Sequence, residues 1–438
     1  MHYLPNILFA LALAVGLGFF AMNVRKLFRN IKLGKEVDRT DNKSERLKNM
    51  IKIALGQTKM VRRPLSGFLH VIVYVGFIII NIEVLEIMID GLFGTHRIFK
   101  GVVGTQLYGF LIGTFEVLAI LVLIAVIIFW TRRNIANIKR FLSPELKGWP
   151  KNDANLILYF EVVLMSLFLT MNATDIHFQE AGVGNIISQF LSPIFDGFTT
   201  ENLHIIERSA WWFHILGILV FLNYLYFSKH LHILLAFPNT YFANLNPKGQ
   251  FNNLESVTKE VKLMMDPAAD PYATSTESTE NQVPEKFGAS DVTDLSWVQL
   301  LNAYTCTECG RCTSSCPANL TGKKLSPRKI MMDTRDRLEE VGKNMDANGG
   351  VFKDDGKQLL NDYITPEELW ACTSCNACVE ECPVNIDPLS IIIDMRRYLV
   401  MEKSAAPKEL NMMMTNIENN GAPWQYSQQD RLNWVNED

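Results

Sequence analysis

Two cysteine runs govern what this chain can become. Cys306-x-x-Cys309-x-x-Cys312-x-x-x-Cys316-Pro317 recurs as Cys372-x-x-Cys375-x-x-Cys378-x-x-x-Cys382-Pro383, and together they use all eight cysteines. Three thiols at intervals of three let the backbone curl round one iron–sulfide cube, and the fourth, followed by proline, carries the chain off to ligate the other. The spacing therefore predicts two [4Fe–4S] clusters, one on Cys306, Cys309, Cys312 and Cys382, the other on Cys372, Cys375, Cys378 and Cys316. Zinc is a poor alternative, because it takes four ligands as two separated pairs. A disulfide framework would need an oxidising compartment, and nothing marks this segment as exported.

The rest of the sequence divides sharply. Its 438 residues allow two or three domains, and the net charge of −4 gives no argument for nucleic acid. The first 240 residues carry five apolar runs, at about 5–24, 65–89, 104–130, 154–174 and 209–236. Each is long enough for the roughly 20 residues of helix that a bilayer requires. The first lacks a basic start and a cleavage site, so it reads as a span and not as a removed signal. Segment 25–63 holds thirteen Lys or Arg against four Asp or Glu, and 131–153 holds six against two. The opposite loops are poor in base: 91–103 has only Arg97 and Lys100, and 175–208 only Arg208. Since basic loops stay inside, the N-terminus is expected outside a bacterial or archaeal cytoplasmic membrane, with the cysteines in the cytoplasm.

Beyond Phe237-Pro238 the apolar pattern stops, and 266–290 is rich in Pro, Ser, Thr and Glu, which reads as a tether. Each cysteine run is flanked by helix-start signals. Thr365-Pro366-Glu367-Glu368 is a capping box, and Ser326-Pro327 and Asp387-Pro388 pair an N-cap with proline at N1. Strand alternation is scarce. The expected fold is all-α: a five-helix transmembrane bundle (1–240), a flexible linker (241–290), a helical dicluster ferredoxin domain (291–401) and a C-terminal tail (402–438).

Most of the eight histidines need no explanation, but His70, His214 and His232 fall within or beside the spans. His214 and His232 are 18 residues apart, which on one continuous helix is five turns, about 27 Å along the same face. Buried imidazoles in a membrane suggest axial ligands for b-type haem. His70 and His232 share the cytoplasmic level and form the expected pair. His214 has no partner on the second span, where Ile80 and Asn81 occupy the matching level. His230 lies roughly 160° round the helix from His214 and ranks lower. Glu83, Glu86, Glu116 and Glu161 also fall within spans, where an acid carries protons or pairs with a cation; otherwise Glu86 snorkels at its helix end and Glu116 is buried as a neutral hydrogen-bonding acid.

The membrane half resembles the five-helix cytochrome b subunits typified by the gamma subunit of respiratory nitrate reductase. The likeness rests on the five spans, on Gly67-Phe68-Leu69-His70, and on His214 with His232. The stretches Arg62-Arg63-Pro64-Leu65-Ser66-Gly67 and Ser228-Lys229-His230-Leu231-His232 look more like heterodisulfide-reductase-related membrane subunits. The soluble half resembles the C subunit of heterodisulfide reductase. The resemblance implies an oxidoreductase subunit passing electrons between membrane quinone, one or two b haems, the two clusters and a soluble partner. That partner would be a Cys-Cys-Gly-type heterodisulfide-reductase B-like subunit or another redox protein. With every cysteine committed, the substrate site is expected on another polypeptide. A haem-free membrane-anchored ferredoxin, acting as conduit or redox sensor, is the alternative.

Overall fold

The computed structural model describes residues 3–267 and 286–436, and the greater part of the tether lies outside them. Among the described residues there is no strand; the fold is helical, with isolated bridges only at Lys35–Ser296 and Leu360–Ile364.

Five helices are long and apolar enough to cross a membrane: α1 Leu4–Ile31, α2 Pro64–Phe93, α3 Thr105–Asn134, α4 Trp149–Thr174 and α5 Thr200–Tyr224, the last prolonged by a 3-10 turn to Phe227. Their boundaries follow local chemistry. Proline opens α2 and α4, where a missing N–H costs nothing. Gly94 ends α2 in the left-handed conformation, and the Thr199 hydroxyl caps α5 by accepting from Asn202 N. Apolar side chains surround each helix, so one face packs inward while Leu11, Phe68, Phe110 and Val163 remain exposed, as lipid contact requires. The bundle core gathers Phe9, Ile112, Phe115, Phe168 and Ile215.

The fifth span departs from expectation. The helix does not run to residue 236: Ser228 is extended (φ −120°, ψ 149°), and a separate helix, α6, begins at His232 and ends at Tyr241. The cause lies on α4. The Asp153 carboxylate accepts from Tyr224 Oη at 2.6 Å and from Lys229 N at 3.2 Å, while Ser228 Oγ accepts from His230 N at 3.1 Å. These side chains capture amides that a continuous helix would have used. His214 and His232 therefore do not share a helix face.

The soluble unit packs around α7 (Trp297–Thr305), α8 (Pro327–Ala347) and α9 (Pro388–Arg397), with Leu300, Leu325, Ile330, Leu338 and Ile391 fully buried. Its packing already includes buried Ala289 and Ser290. Within the stretch read as linker, Glu255–Met265 forms a helix, and 268–285 lies outside the described residues. The tail contains α10 (Lys408–Asn420), with Met412, Trp424 and Trp434 exposed.

The two halves are joined directly. Lys35 N donates to Leu295 O at 2.7 Å and Trp297 N to Lys35 O at 3.1 Å. A Cβ at Gly34 would lie 2.5 Å from Trp297 N, so this approach needs glycine. Helix α6 lies against α7, and Asn239 Nδ2 donates to Val384 O at 2.7 Å.

Candidate metal centres

Each cysteine run begins where a capped helix stops. The Ser296–Gln299 capping box starts α7, which ends at extended Cys306; the Thr365–Glu368 box starts the turn before Cys372. Both runs then use the same backbone device. The residue two beyond the first cysteine (Glu308, Ser374) and the residue four beyond it (Gly310, Asn376) are left-handed, with φ between 54° and 72°. Such conformations are uncommon for residues other than glycine, and here they wrap three thiols round one centre.

The structure groups the thiols across the two runs. Cys316 lines one cavity with Cys372, Cys375 and Cys378, closed on the apolar side by Leu325, Pro327, Leu389 and Ile392. Cys312 lies within electrostatic reach of Cys306, Cys309 and Cys382, and more weakly of Cys378 in the other group. Among the described residues no three His, Cys, Asp or Glu side chains converge as a single ion would require. The thiols of the second group instead stand around a space. Amides point at the sulfurs: Ser374 N reaches Cys372 Sγ at 3.4 Å, and Ile386 N reaches Cys382 Sγ at 3.3 Å. Burial pushes the Cys306 thiol up to about 12 and Cys382 up to about 11. Four thiolates so enclosed need cationic iron to stay ionised, and the residues fit that group. The first group faces the bundle. Buried Arg311 donates to Lys59 O and Met60 O, each at 3.0 Å, and Lys59 lies within reach of Cys382. Cys375 of the second group is exposed.

The histidines form a cluster and an outlier. His70, His230 and His232 lie within electrostatic reach of one another, with the His230 and His232 rings 5.3 Å apart. His232 Nδ1 is held at 3.0 Å by Lys229 O, and His70 Nδ1 is buried without a partner. His232 is fixed through Nδ1, as metal-binding histidines usually are, and His70 presents a buried unpartnered nitrogen beside it, so the cluster fits a haem that two imidazoles would hold. His230 joins it because the helix breaks; the 160° offset drawn for a continuous helix does not apply. His214 sits apart, 1% exposed, with Nδ1 at 3.0 Å from Leu164 O and Nε2 unpartnered.

The acids divide as well. Glu116 accepts from Asn172 Nδ2, Ile187 N and Ser188 N, at 3.0, 2.7 and 3.0 Å, and is structural. Glu86 accepts from Phe99 N and Tyr108 Oη, both at 2.9 Å. Glu83 Oε2 is buried and unpartnered, and Glu161 lines a cavity with His214.

A link that sequence reasoning missed joins the two kinds of site. Lys229 orients His232 through its carbonyl, and its Nζ pairs with Glu308, inside the first cysteine run, and donates to Pro150 O at 2.7 Å. Arg335 Nη1 holds the other Glu308 oxygen at 2.9 Å.

Comparison with known proteins bears on the cysteine-bearing half. The 4Fe-4S dicluster domain family matches residues 305–386. The chain is 30% identical to the Probable iron-sulfur-binding oxidoreductase FadF of Bacillus subtilis, over 98% of this chain and 61% of that protein. It is 25% identical to the EtfAB:quinone oxidoreductase of Syntrophomonas wolfei, over 92% of this chain and 55% of that protein. The chain thus spans a little over half the length of these relatives. It is also 35% identical to the C subunit of the Ferredoxin/F(420)H(2)-dependent CoB-CoM heterodisulfide reductase of Methanosarcina acetivorans, over 25% of this chain and 53% of that protein. No solved structure matches it significantly. A dicluster match, likeness to the C subunit of a heterodisulfide reductase and five helices fit to cross a bilayer make this chain a heterodisulfide-reductase-C-like membrane iron–sulfur protein.

Proposed function

We propose that the chain is the membrane-bound electron-transfer subunit of a quinone-linked oxidoreductase complex. It passes electrons between membrane quinone, a b-type haem and a cytoplasmic partner through two [4Fe–4S] clusters. The observation that carries this reading is the continuity of the three sites. The histidine cluster adjoins the first cysteine group through Lys229 and Glu308, and the second cysteine group ends at exposed Cys375. The cofactors supply one-electron chemistry; the chain supplies ligation, spacing and insulation. His70 and His232 are the residues that would hold the haem, with His230 beside them. Cys306, Cys309, Cys312 and Cys382 would hold the first cluster, and Cys372, Cys375, Cys378 and Cys316 the second. Arg311 and Lys59 offset thiolate charge at the membrane side. Exposed Cys375 gives a partner close approach, while buried Cys306 and Cys316 keep water from the rest.

The division into bundle (1–240), linker (241–290), dicluster domain (291–401) and tail (402–438) belongs to this proposal. So does the topology. The basic residues Arg29, Arg46, Arg62, Arg63 and Arg140 all lie on the side that meets the soluble unit, which supports a cytoplasmic cluster domain and an external N-terminus. The relative named for quinone supports the quinone end. The partner is read as a Cys-Cys-Gly-type heterodisulfide-reductase B-like subunit or another soluble redox protein that carries the substrate site.

Anaerobic preparation and counting test the reading. About eight cluster irons, matching acid-labile sulfide and one haem are expected per chain. The reduced b-type band should vanish in His70→Ala and in His232→Ala. Clusters without haem would leave a membrane-anchored ferredoxin, and material free of sulfide would end the proposal.

A further inference from the structure

The bundle holds a second polar site that the electron path just described does not use. Between α2, α3, α4 and α5 lies a partly open cavity of about 70 Å³. Small-molecule sites pair apolar walls with a few placed polar groups. Here Gly76, Ile80 and Val122 contribute apolar wall, and His214, Glu161 and Asn81 are the polar groups. Glycine lets α2 come close to α3 at this wall: a Cβ at Gly76 would lie 2.7 Å from Val122 Cγ2.

His214 is the second, independent observation. It is buried, and its Nε2 has no partner within a membrane-spanning bundle, where an unpaired polar atom is costly. A haem held by two imidazoles would need another histidine across the cavity. The residues that α2 presents there include Ile80 and Asn81 but no histidine. The set is therefore one for hydrogen bonding. Its sense can be read: Leu164 O can only accept, so His214 Nδ1 carries the proton and Nε2 of the neutral ring is an acceptor. The Glu161 carboxylate offers acceptor oxygens on another wall.

We infer that this cavity binds the headgroup of a hydroquinone, with one phenolic O–H donated to His214 Nε2 and the other directed to Glu161. A flat apolar ring with an O–H at each end matches apolar walls bearing two acceptors, and a lipid-dissolved molecule reaches an opening in the bundle. The inference rests on the quinone-linked reading and gives it a place, but its test does not depend on electron transfer.

The test is equilibrium dialysis of the full chain in detergent, under anaerobic conditions, with 2-methyl-1,4-naphthohydroquinone. One bound equivalent is expected for the unaltered chain. His214→Phe and Ile80→Trp, which fill the cavity from opposite walls, should weaken binding at least tenfold, and Glu161→Gln should weaken it as well. Phe110→Ala, on the exposed face of α3, should bind as the unaltered chain does. The oxidised quinone, which lacks O–H donors, should bind more weakly. Unchanged binding in both cavity-filling variants would overturn the assignment, as would equal affinity for the oxidised form. Loss of a haem band in His214→Phe would overturn it in favour of haem ligation. Should the chain carry neither haem nor cubes yet bind the hydroquinone, the electron-transfer reading fails and the pocket stands.

Discussion

Replacing Lys229 by methionine tests how the bundle is held to the first cysteine run. The Lys229 side chain is 8% exposed and that of Glu308 3%. The ammonium serves the Glu308 carboxylate and Pro150 O, and lies 3.8 Å from Asp153. Burial lowers the Lys229 pKa against the opposing pull of Glu308 and Asp153. Burial works to raise Glu308, but Lys229 and Arg335 outweigh it and hold the carboxyl below its ordinary value. Both directions describe a desolvated ion pair. Removing one partner of such a pair costs about 3–5 kcal/mol, because the other charge stays buried. Arg335 keeps its hold on Glu308, and Asp153 keeps Tyr224 and Lys229 N, so the loss belongs at the low end, about 3 kcal/mol. Unfolding of a chain with membrane and cofactor-bearing parts is not a two-state event, whereas amide exchange reads local opening directly. At about 1.4 kcal/mol per decade, protection at amides of 229–241 and 306–312 should fall roughly a hundredfold. Lys229→Met combined with Glu308→Gln should recover part of the loss, since no unpaired charge remains. Protection within about threefold of the unaltered chain, or a double variant no better than the single one, would refute the reasoning.

Three further outcomes follow from the same geometry. Cys316→Ala should remove the cluster of the distant run and give the EPR spectrum of Cys375→Ala; a spectrum matching Cys309→Ala would mean that each run fills its own cube. Burial raises Glu145, yet its pair with Arg328 at 2.7 Å and its bond from Ser326 hold it below the ordinary value. A depressed carboxylate stabilises the folded state above its unfolded pKa and loses that contribution as pH falls through its folded value. Protease resistance around residues 139–146 should therefore drop on acidification below about pH 4.5, and Glu145→Gln should flatten that dependence. Arg97 joins the ends of α2 and α4 by bonds to Asp175 at 2.8 Å and Asn172 at 2.9 Å, and lies over the Phe178 ring. Arg97→Met should cost about 3 kcal/mol, read as lost exchange protection across 172–180, with Arg97→Lys intermediate because it keeps the charge but not the fork.

What the sequence made legible was whatever is encoded in neighbours. The cysteine spacing, the capping box at Thr365, the N-cap at Ser326 and the five apolar runs each state their structure within a few residues, and the helices start and stop accordingly. What was hidden depends on residues far apart. Nothing near Ser228 announces that Asp153, on another helix, will take the Lys229 amide, so periodicity alone carried the fifth helix too far. That break moved His230 into the histidine cluster and took His214 off the shared face. Nothing near Glu308 or Lys229 announces their pairing, which the fold makes across 79 positions. Glu116 read as a proton carrier or a neutral acid until Ile187 N and Ser188 N were seen to point at it.

The junction between the halves explains why the sites can keep fixed separations. Much of it is side chain to backbone. Arg29 donates to Gly342 O, Arg311 to Lys59 O and Met60 O, Arg328 to Arg140 O, and Asn239 to Val384 O. A carbonyl cannot ionise or swing away on a flexible stem, and a bond to it costs less desolvation than a second buried charge would. Such contacts are also less sensitive to salt than pairs between exposed charges, which are screened within about 8–10 Å. The exposed pairs, Lys26–Asp346 and Lys248–Glu380, contribute little by comparison. High salt should then loosen the rim and leave the docking intact, with Asn30 still bonded to Tyr304 in its centre. A ferredoxin held only by a tether would wander at the membrane surface; one pinned to the backbone of its own bundle keeps each thiol at one distance from the histidines, as the proposed electron path requires.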